Sequence, residues 1–169
     1  MTLDFEVRHL RVWWHCGWAV TVDPGLDGEI CDNGRTLRLF DEPREFSLTS
    51  NHFARNDGVP FRAEDVFEWF PPADMAGERF AHEDAEHIGR ALWVTVPPDG
   101  PKRTWLLVAI TLHRASQRGA QMTTVVHSAE AKPWALATWR GVRYDPDEAA
   151  RTTGPAPTDD DDDDDSPIG

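Results

Sequence analysis

The stretch TWLLVAITLH, residues Thr104–His113, decides the fold of this 169-residue chain more than any other. Apolar residues run through it almost without a break, and Thr111 is the one polar residue between Trp105 and Leu112. A continuous apolar run of this length is typical of a β-strand whose two faces are both covered. We therefore predict a central strand here, with Val108 and Ile110 on the same buried face.

Shorter strand patterns lie on both sides of this central segment. Residues 92–96 lead into it through a proline-containing turn at 97–102, and residues 122–127 and 135–144 follow it. Short connections favour antiparallel neighbours, because parallel strands need a long crossover. The last third of the sequence therefore predicts an antiparallel meander of four strands.

The N-terminal part predicts further short strands. Residues 3–14 alternate between apolar and polar, but the apolar face changes near Arg8 and His9, which indicates a β-bulge. Residues 18–22 form a second pattern. The dipeptide Asn33-Gly34, between residues 29–31 and 36–40, is a strong hairpin signal. We predict a twisted set of short strands over residues 10–40.

Two segments in the middle of the chain favour helices. Residues 62–69 carry acidic residues early and end before Pro71, as a short helix would. Residues 76–92 place their apolar positions within an arc of about 140° when drawn as a helix. These apolar positions are Phe80, Ala81, Ala85, Ile88, Ala91 and Leu92. The fold class predicted from all segments is α+β, mainly antiparallel β, with one or two central helices.

The C-terminal end differs from the rest in composition. Residues 159–165 are seven consecutive aspartates, and prolines precede them at 155 and 157. Such a segment buries too little apolar surface to repay the entropy of ordering. We predict one globular domain over residues 1–148 and a disordered poly-aspartate tail over residues 149–169.

The charge and the termini narrow the classes of function. The formal net charge is −13, and the seven tail aspartates account for seven of these charges, which leaves −6. This balance disfavours binding to nucleic-acid phosphates. No apolar run reaches the roughly 20 residues of a membrane span, and Asp4 and Glu6 stand where a signal peptide carries basic residues. Two cysteines are too few for a disulfide framework. We therefore expect a cytoplasmic protein without a membrane partner.

The most distinctive motif is WWHCGW, residues 13–18, in a chain with eight tryptophans and one tyrosine. Adjacent residues of a strand point to opposite faces, so Trp13 and Trp14 separate. An exposed tryptophan beside His15 suits an interface, because tryptophan is enriched at binding hot spots. The alternative is that the domain covers both faces itself. We predict that Trp13, Trp14, His15 and Trp18 bind another protein or a second copy of this chain.

The motif HEDAEH, residues 82–87, is a candidate metal site. On a helix its histidines and glutamates would form two i,i+4 pairs, and imidazole with carboxylate suits Zn²⁺, Mn²⁺ or Fe²⁺. A further ligand would have to come from the C-terminal strands. The candidate ligands are His82, Glu83, Glu86, His87, His113 and His127. The other interpretation, which we favour, is a solvated helix face with charge pairs, so we expect no metal or other cofactor.

Asp84 falls inside the apolar arc of the predicted helix. A buried carboxylate must be paired, hydrogen-bonded or protonated, because leaving it unsatisfied costs several kcal/mol. With a raised pKa it would be a candidate catalytic acid. Paired with an arginine such as Arg79 or Arg114, it would be structural.

Two classes of function stay open. The sequence contains no GxGxxG, P-loop, GxSxG, HExxH or tandem CxxC motif. Together with the many tryptophans, this favours a non-catalytic interaction or accessory protein with a tryptophan-rich surface and an acidic tail. The alternative is a small metal-dependent or acid–base enzyme that uses the histidine–glutamate pairs. Convergence of three or more histidine, aspartate and glutamate side chains in one cleft would favour the enzyme.

Overall fold

A computed structural model of the chain describes residues 10–14, 17–32, 35–53, 55–59, 61–97, 103–116 and 118–152. These residues form a mainly antiparallel β structure with a few short helices. The strands are β1 (Leu10–Trp14), β2 (Trp18–Val22), β3 (Asp27–Cys31), β4 (Thr36–Asp41), β5 (Arg44–His52), β6 (Glu78–Glu83), β7 (His87–Val96), β8 (Thr104–His113), β9 (Arg118–Val126) and β10 (Arg143–Tyr144). The α-helices are α1 (Ala63–Phe67), α2 (Lys132–Arg140) and α3 (Pro146–Thr152).

Seven strands form one large antiparallel sheet in the order β3-β4-β5-β9-β8-β7-β6. It consists of two meanders, β3–β5 and β6–β9, joined where β5 pairs with β9 along its whole length. The predicted central strand is confirmed, because β8 spans Thr104–His113 and lies between β7 and β9.

The main core covers the inner face of the large sheet. One row of paired residues crosses five strands on this face, from Leu37 through Leu48, Met122 and Ala109 to Ala91. A second, three-stranded sheet in the order β1-β2-β10 and helix α2 pack against it. They contribute the buried residues Trp18, Val20, Val22, Ala135, Trp139, Val142 and Tyr144.

The outer face of the large sheet carries a smaller core. Val66 of α1 and Phe70 pack there against Ile88, Ile110 and Leu112, with Val108 partly buried at the margin. Strand β8 is therefore covered on both faces, and Val108 shares a face with Ile110, as the sequence predicts. The predicted short helix is also confirmed, although α1 covers only Ala63–Phe67.

The predicted helix over residues 76–92 is wrong. The segment forms the hairpin of β6 and β7, with Phe80 opposite Ala91 and His82 opposite Gly89. Asp84 makes the turn, because its Oδ1 accepts hydrogen bonds from the backbone N–H groups of Glu86 and His87. The residue that interrupted the helical apolar arc is the turn residue of the hairpin.

The predicted strand over residues 135–144 is also wrong. Helix α2 occupies Lys132–Arg140, and only Arg143–Tyr144 is a strand. Pro133 lies in the first turn of α2, where its missing N–H costs nothing. The backbone N–H of Gly141 closes the helix by donating to Ala137 and Thr138. The C-terminal meander consists instead of β6, β7, β8 and β9.

Other predictions fall partly outside the described residues. The β3–β4 hairpin is confirmed, but its Asn33-Gly34 turn, the bulge at Arg8 and His9 and the tail after residue 152 are not described. Helix α3 continues past the predicted domain end at residue 148, and Ala149 packs against the main core. Gly17 permits this packing, because it has a φ of 83° and a side chain there would meet Asp145 and Ala149.

Candidate functional site

Strand β1 is an edge strand with an exposed tryptophan. It pairs with β2 from Leu10↔Val22 to Trp14↔Trp18, and no strand within the described residues pairs with its other side. The side chain of Val12 packs on the main core, whereas Trp13 and Leu10 are 42% and 44% exposed. Among the described residues this side of β1 has no strand partner, and a strand edge of this kind can pair with another strand.

The tryptophan motif divides between surface and core. Trp13 is exposed, and the Arg11 guanidinium lies 5.3 Å from the centre of its ring. The prediction that Trp18 is a binding residue is wrong, because its side chain is fully buried. The centre of its ring lies 5.2 Å from that of Tyr144. The Trp14 side chain and the whole of His15 lie outside the described residues.

A second cluster forms around the Asp84 carboxylate, at the turn between β6 and β7. His82 Nε2 lies 3.6 Å from Oδ2 of Asp84, and His87 Nδ1 lies 3.5 Å from Oδ1. Arg143 of β10 completes the group, with Nη2 at 3.3 Å from Oδ2. The cluster therefore ties the hairpin of the large sheet to the smaller sheet.

The hydrogen bonding of His87 fixes its protonation state. Its side chain is only 1% exposed, and its Nε2 accepts the backbone N–H of Tyr144 at 3.0 Å. Because this bond uses the Nε2 lone pair, the ring is neutral and its proton is on Nδ1, facing Asp84. Burial is the main reason that the pKa of His87 lies below its usual value, and the nearby Asp84 carboxylate opposes this shift.

The Asp84 carboxylate is hydrogen-bonded and paired with Arg143, and its pKa lies below the usual value. Burial alone would raise its pKa, and this is the largest single effect. The hydrogen bonds from the Glu86 and His87 N–H groups, with the charge of Arg143, outweigh burial and leave the pKa lower than usual. The direction is opposite to the shift that a catalytic acid needs, so the raised pKa considered for Asp84 is wrong. The predicted arginine partners are wrong as well, since the Asp84 carboxylate pairs with Arg143.

The hairpin changes the relation between the candidate metal ligands. His82, Asp84 and His87 converge, but the nitrogens that face Asp84 are shielded from solvent. Glu83 pairs instead with Arg90 and Arg114, at 3.2 and 3.3 Å.

The remaining candidates do not complete a metal site. Glu86 is exposed and contributes its backbone N–H to the Asp84 turn. His127 lies apart, with its Nδ1 at 3.3 Å from the Thr104 hydroxyl. Within the described part of the chain, no three histidine, cysteine, aspartate or glutamate residues are arranged to hold a metal ion. No helix of this part is long and apolar enough to cross a membrane.

His113 links this cluster to a small cavity. Its ring centre lies 5.4 Å from that of His87, and its Nδ1 lies 3.0 Å from Ser116 Oγ. His113 and Ser116 line a cavity of about 230 Å³, and Arg114 and Arg118 also line it. The sequence analysis missed Ser116 and Arg118, although two arginines in the short polar segment RASQR were a signal.

A larger open cavity of about 790 Å³ lies beside the β4–β5 turn. Three of its charged lining residues are paired within the chain: Arg44 pairs with Asp41 and Asp23, and Glu45 pairs with Arg38. His127 is part of its lining. Because carboxylates and arginines both line it, this cavity does not point to a ligand of one charge.

Comparisons with known proteins give the fold only. No family model and no curated protein matches this chain. A crystal structure of a protein from Bacteroides thetaiotaomicron is similar, with a TM-score of 0.53 and 7% sequence identity. The similarity covers 76% of this chain and 45% of that protein, so the chain spans less than half of its length. At this identity the likeness concerns the arrangement of strands and helices.

Proposed function

We propose that this protein is a non-catalytic interaction protein that binds another polypeptide along the edge of β1 that has no strand partner among the described residues. The observation that carries the proposal is Trp13, 42% exposed on an edge strand. An extended segment that adds to such an edge gains main-chain hydrogen bonds, and side-chain contacts then provide specificity. Tryptophan at the centre of such a contact supplies a large apolar area.

An exposed tryptophan is not by itself enough to indicate a binding surface, as Trp69 shows. Trp69 is more exposed than Trp13, at 55%, but it follows α1 and is not part of a strand. It contacts Phe70 edge-on, with the ring centres 6.3 Å apart. Trp13 differs because it combines an exposed ring with a strand edge that no described strand covers, and Trp69 therefore serves as a matched control.

The partner that we propose is another protein or a second copy of this chain, in the cytoplasm, with no cofactor required. In a second copy, two β1 strands would pair antiparallel about a two-fold axis. The enzyme alternative rested on two helical histidine–glutamate pairs, and the β6–β7 hairpin does not form those pairs. The tail aspartates, residues 159–165, are proposed to keep the protein soluble.

The test compares Trp13→Glu with Trp69→Glu. A photoreactive amino acid placed at position 13 or 69 should cross-link a polypeptide in cells only from position 13. In sedimentation velocity, any self-association of the wild type should disappear in Trp13→Glu and persist in Trp69→Glu. Both variants should unfold at the temperature of the wild type. Equal cross-linking from both positions, or association unchanged in Trp13→Glu, would reject the proposal.

A further inference from the structure

The cavity beside His113 is lined by several arginines, although the protein is strongly acidic, with a net charge of −13. It has a volume of about 230 Å³ and lies where the turn between β8 and β9 meets the start of α1. Three arginines line it, Arg62, Arg114 and Arg118, with Glu64 as the one carboxylate among the described lining residues. Arg114 is paired with Glu83 and Arg62 lies near Asp65, so neighbouring carboxylates balance part of this positive charge.

The three arginines differ in how firmly described residues hold them. Arg114 donates from Nε to the Asp84 carbonyl at 3.0 Å and from Nη2 to Glu83 at 3.3 Å, which holds its guanidinium in place. The side chain of Arg118 has no ion pair with any described residue. Arg62 is 71% exposed and only 3.8 Å from the Asp65 carboxylate, a weak contact.

Ser116 and His113 add neutral polar groups to the same lining. The Ser116 hydroxyl lies 3.0 Å from His113 Nδ1 and accepts the backbone N–H of Arg118 at 3.3 Å. Burial lowers the pKa of His113, which keeps its ring neutral near pH 7. The hydroxyl is therefore held in position at the cavity wall.

We propose that this cavity binds a small oxyanion, such as phosphate or the phosphate group of a small molecule. A phosphate group offers three strong acceptor oxygens, which Arg62 and Arg118 can share, whereas the charge of Arg114 is already paired with Glu83. Guanidinium groups fit phosphate oxygens in pairs of hydrogen bonds. The volume is below the roughly 300 Å³ at which pockets for larger ligands begin.

Isothermal titration calorimetry of the full chain at low salt tests this proposal. Inorganic phosphate should bind saturably with one site per chain, and acetate should bind at least about tenfold more weakly. Arg118→Gln should weaken phosphate binding at least about tenfold. Arg103→Gln is the control, because Arg103 is exposed and lines the other cavity; its affinity should equal that of the wild type.

Two further measurements identify the ligand and distinguish a loss of binding from a loss of folding. Phosphoserine that binds more tightly than phosphate would assign the site to a phosphorylated molecule, and equal affinity would assign it to phosphate itself. Ser116→Ala should reduce affinity without changing the thermal unfolding of the unliganded protein. The proposal is overturned if phosphate gives no saturable heat, or if Arg118→Gln and Arg103→Gln lose affinity equally.

Discussion

Strands β1 and β2 are neighbours of equal length, yet their tryptophans lie in opposite environments. The two strands pair along all five residues. Trp18 of β2 is fully buried, whereas Trp13 of β1 is 42% exposed. Strand β2 has β1 on one side and β10 on the other, and it lies on the main core. Strand β1 has a described neighbour on one side only.

This contrast shows that the place of a strand in its sheet decides what its tryptophan does. Both residues belong to one six-residue motif, and residue type does not distinguish them. Burial of Trp18 stabilises the contact between the two sheets, because its ring lies 6.4 Å from that of His87 in the large sheet and belongs to the main core. Exposure of Trp13 leaves apolar area and a strand edge for a partner.

Trp18→Ala should have the largest effect on stability. The substitution leaves a cavity in the main core, and such changes of a buried aromatic residue usually cost about 3–5 kcal/mol. Chemical denaturation, followed by circular dichroism, measures this loss. Trp13→Ala is the matched control, and it should change stability by less than about 0.5 kcal/mol. Similar losses in both variants would break the comparison and place Trp13 in the core.

A second substitution tests whether the cover on both faces of β8 determines the stability of that strand. Ile110→Ala should cost about 2–4 kcal/mol, because Ile110 is almost fully buried between the outer face of the sheet and α1. Val108→Ala should cost less, since Val108 is only partly buried on the same face. The same denaturation experiment measures both. A larger loss at Val108 than at Ile110 would show that the outer core is centred elsewhere.

The parts of the fold that sequence reasoning predicted are those with strong local signals. The apolar run of β8, the hairpin of β3 and β4 and the proline stop after α1 each specify their structure within a few residues. Alternation along β1 predicted that Trp13 and Trp14 lie on opposite faces, but not which of them is exposed. None of these predictions required knowledge of distant contacts.

The errors arose in two segments whose residues fit both the helical period and the alternation of a strand. In residues 76–92, alanines satisfied a helical arc, although Phe80 and His82 alternate equally well as a strand. The predicted strand over residues 135–144 overlaps α2, and the helix signals of Pro133 and Gly141 at its two ends were given too little weight.

The small cavity could not be found from local pattern. It brings together Arg62 and Arg118, which are far apart in the sequence and meet because α1 packs over β8. The same holds for the contact of Arg143 with Asp84 across the two sheets. Such sites depend on tertiary packing, which periodicity does not predict.

The last and smallest effect concerns the other neighbour of β2, the strand β10. Tyr144 of β10 pairs with Trp18, and its N–H is held by the neutral ring of His87. Asp84 and Glu86 raise the pKa of His87, but burial, Arg143 and His113 lower it, and the net pKa is below the usual 6.5. Between the lowered pKa and 6.5, the unfolded chain therefore binds more protons than the folded chain does.

Stability should consequently decrease as the pH falls below about 6.5 and continue to decrease until it passes the lowered pKa of His87. His113 contributes in the same direction, because burial lowers its pKa too. Asp84, with a lowered carboxyl pKa, loses its contribution only at more acidic pH.

The free energy of unfolding, measured by denaturation across this range, should depend less on pH in His87→Gln. Glutamine does not titrate, and its carbonyl can still accept the Tyr144 N–H. The hydrogen-exchange protection of Tyr144 should fall with pH before that of Val20, which pairs with β1. If the pH dependence is unchanged in His87→Gln, the bond from His87 does not stabilise β10. Strand β10 would then depend on its pairing with β2 alone, as β1 does.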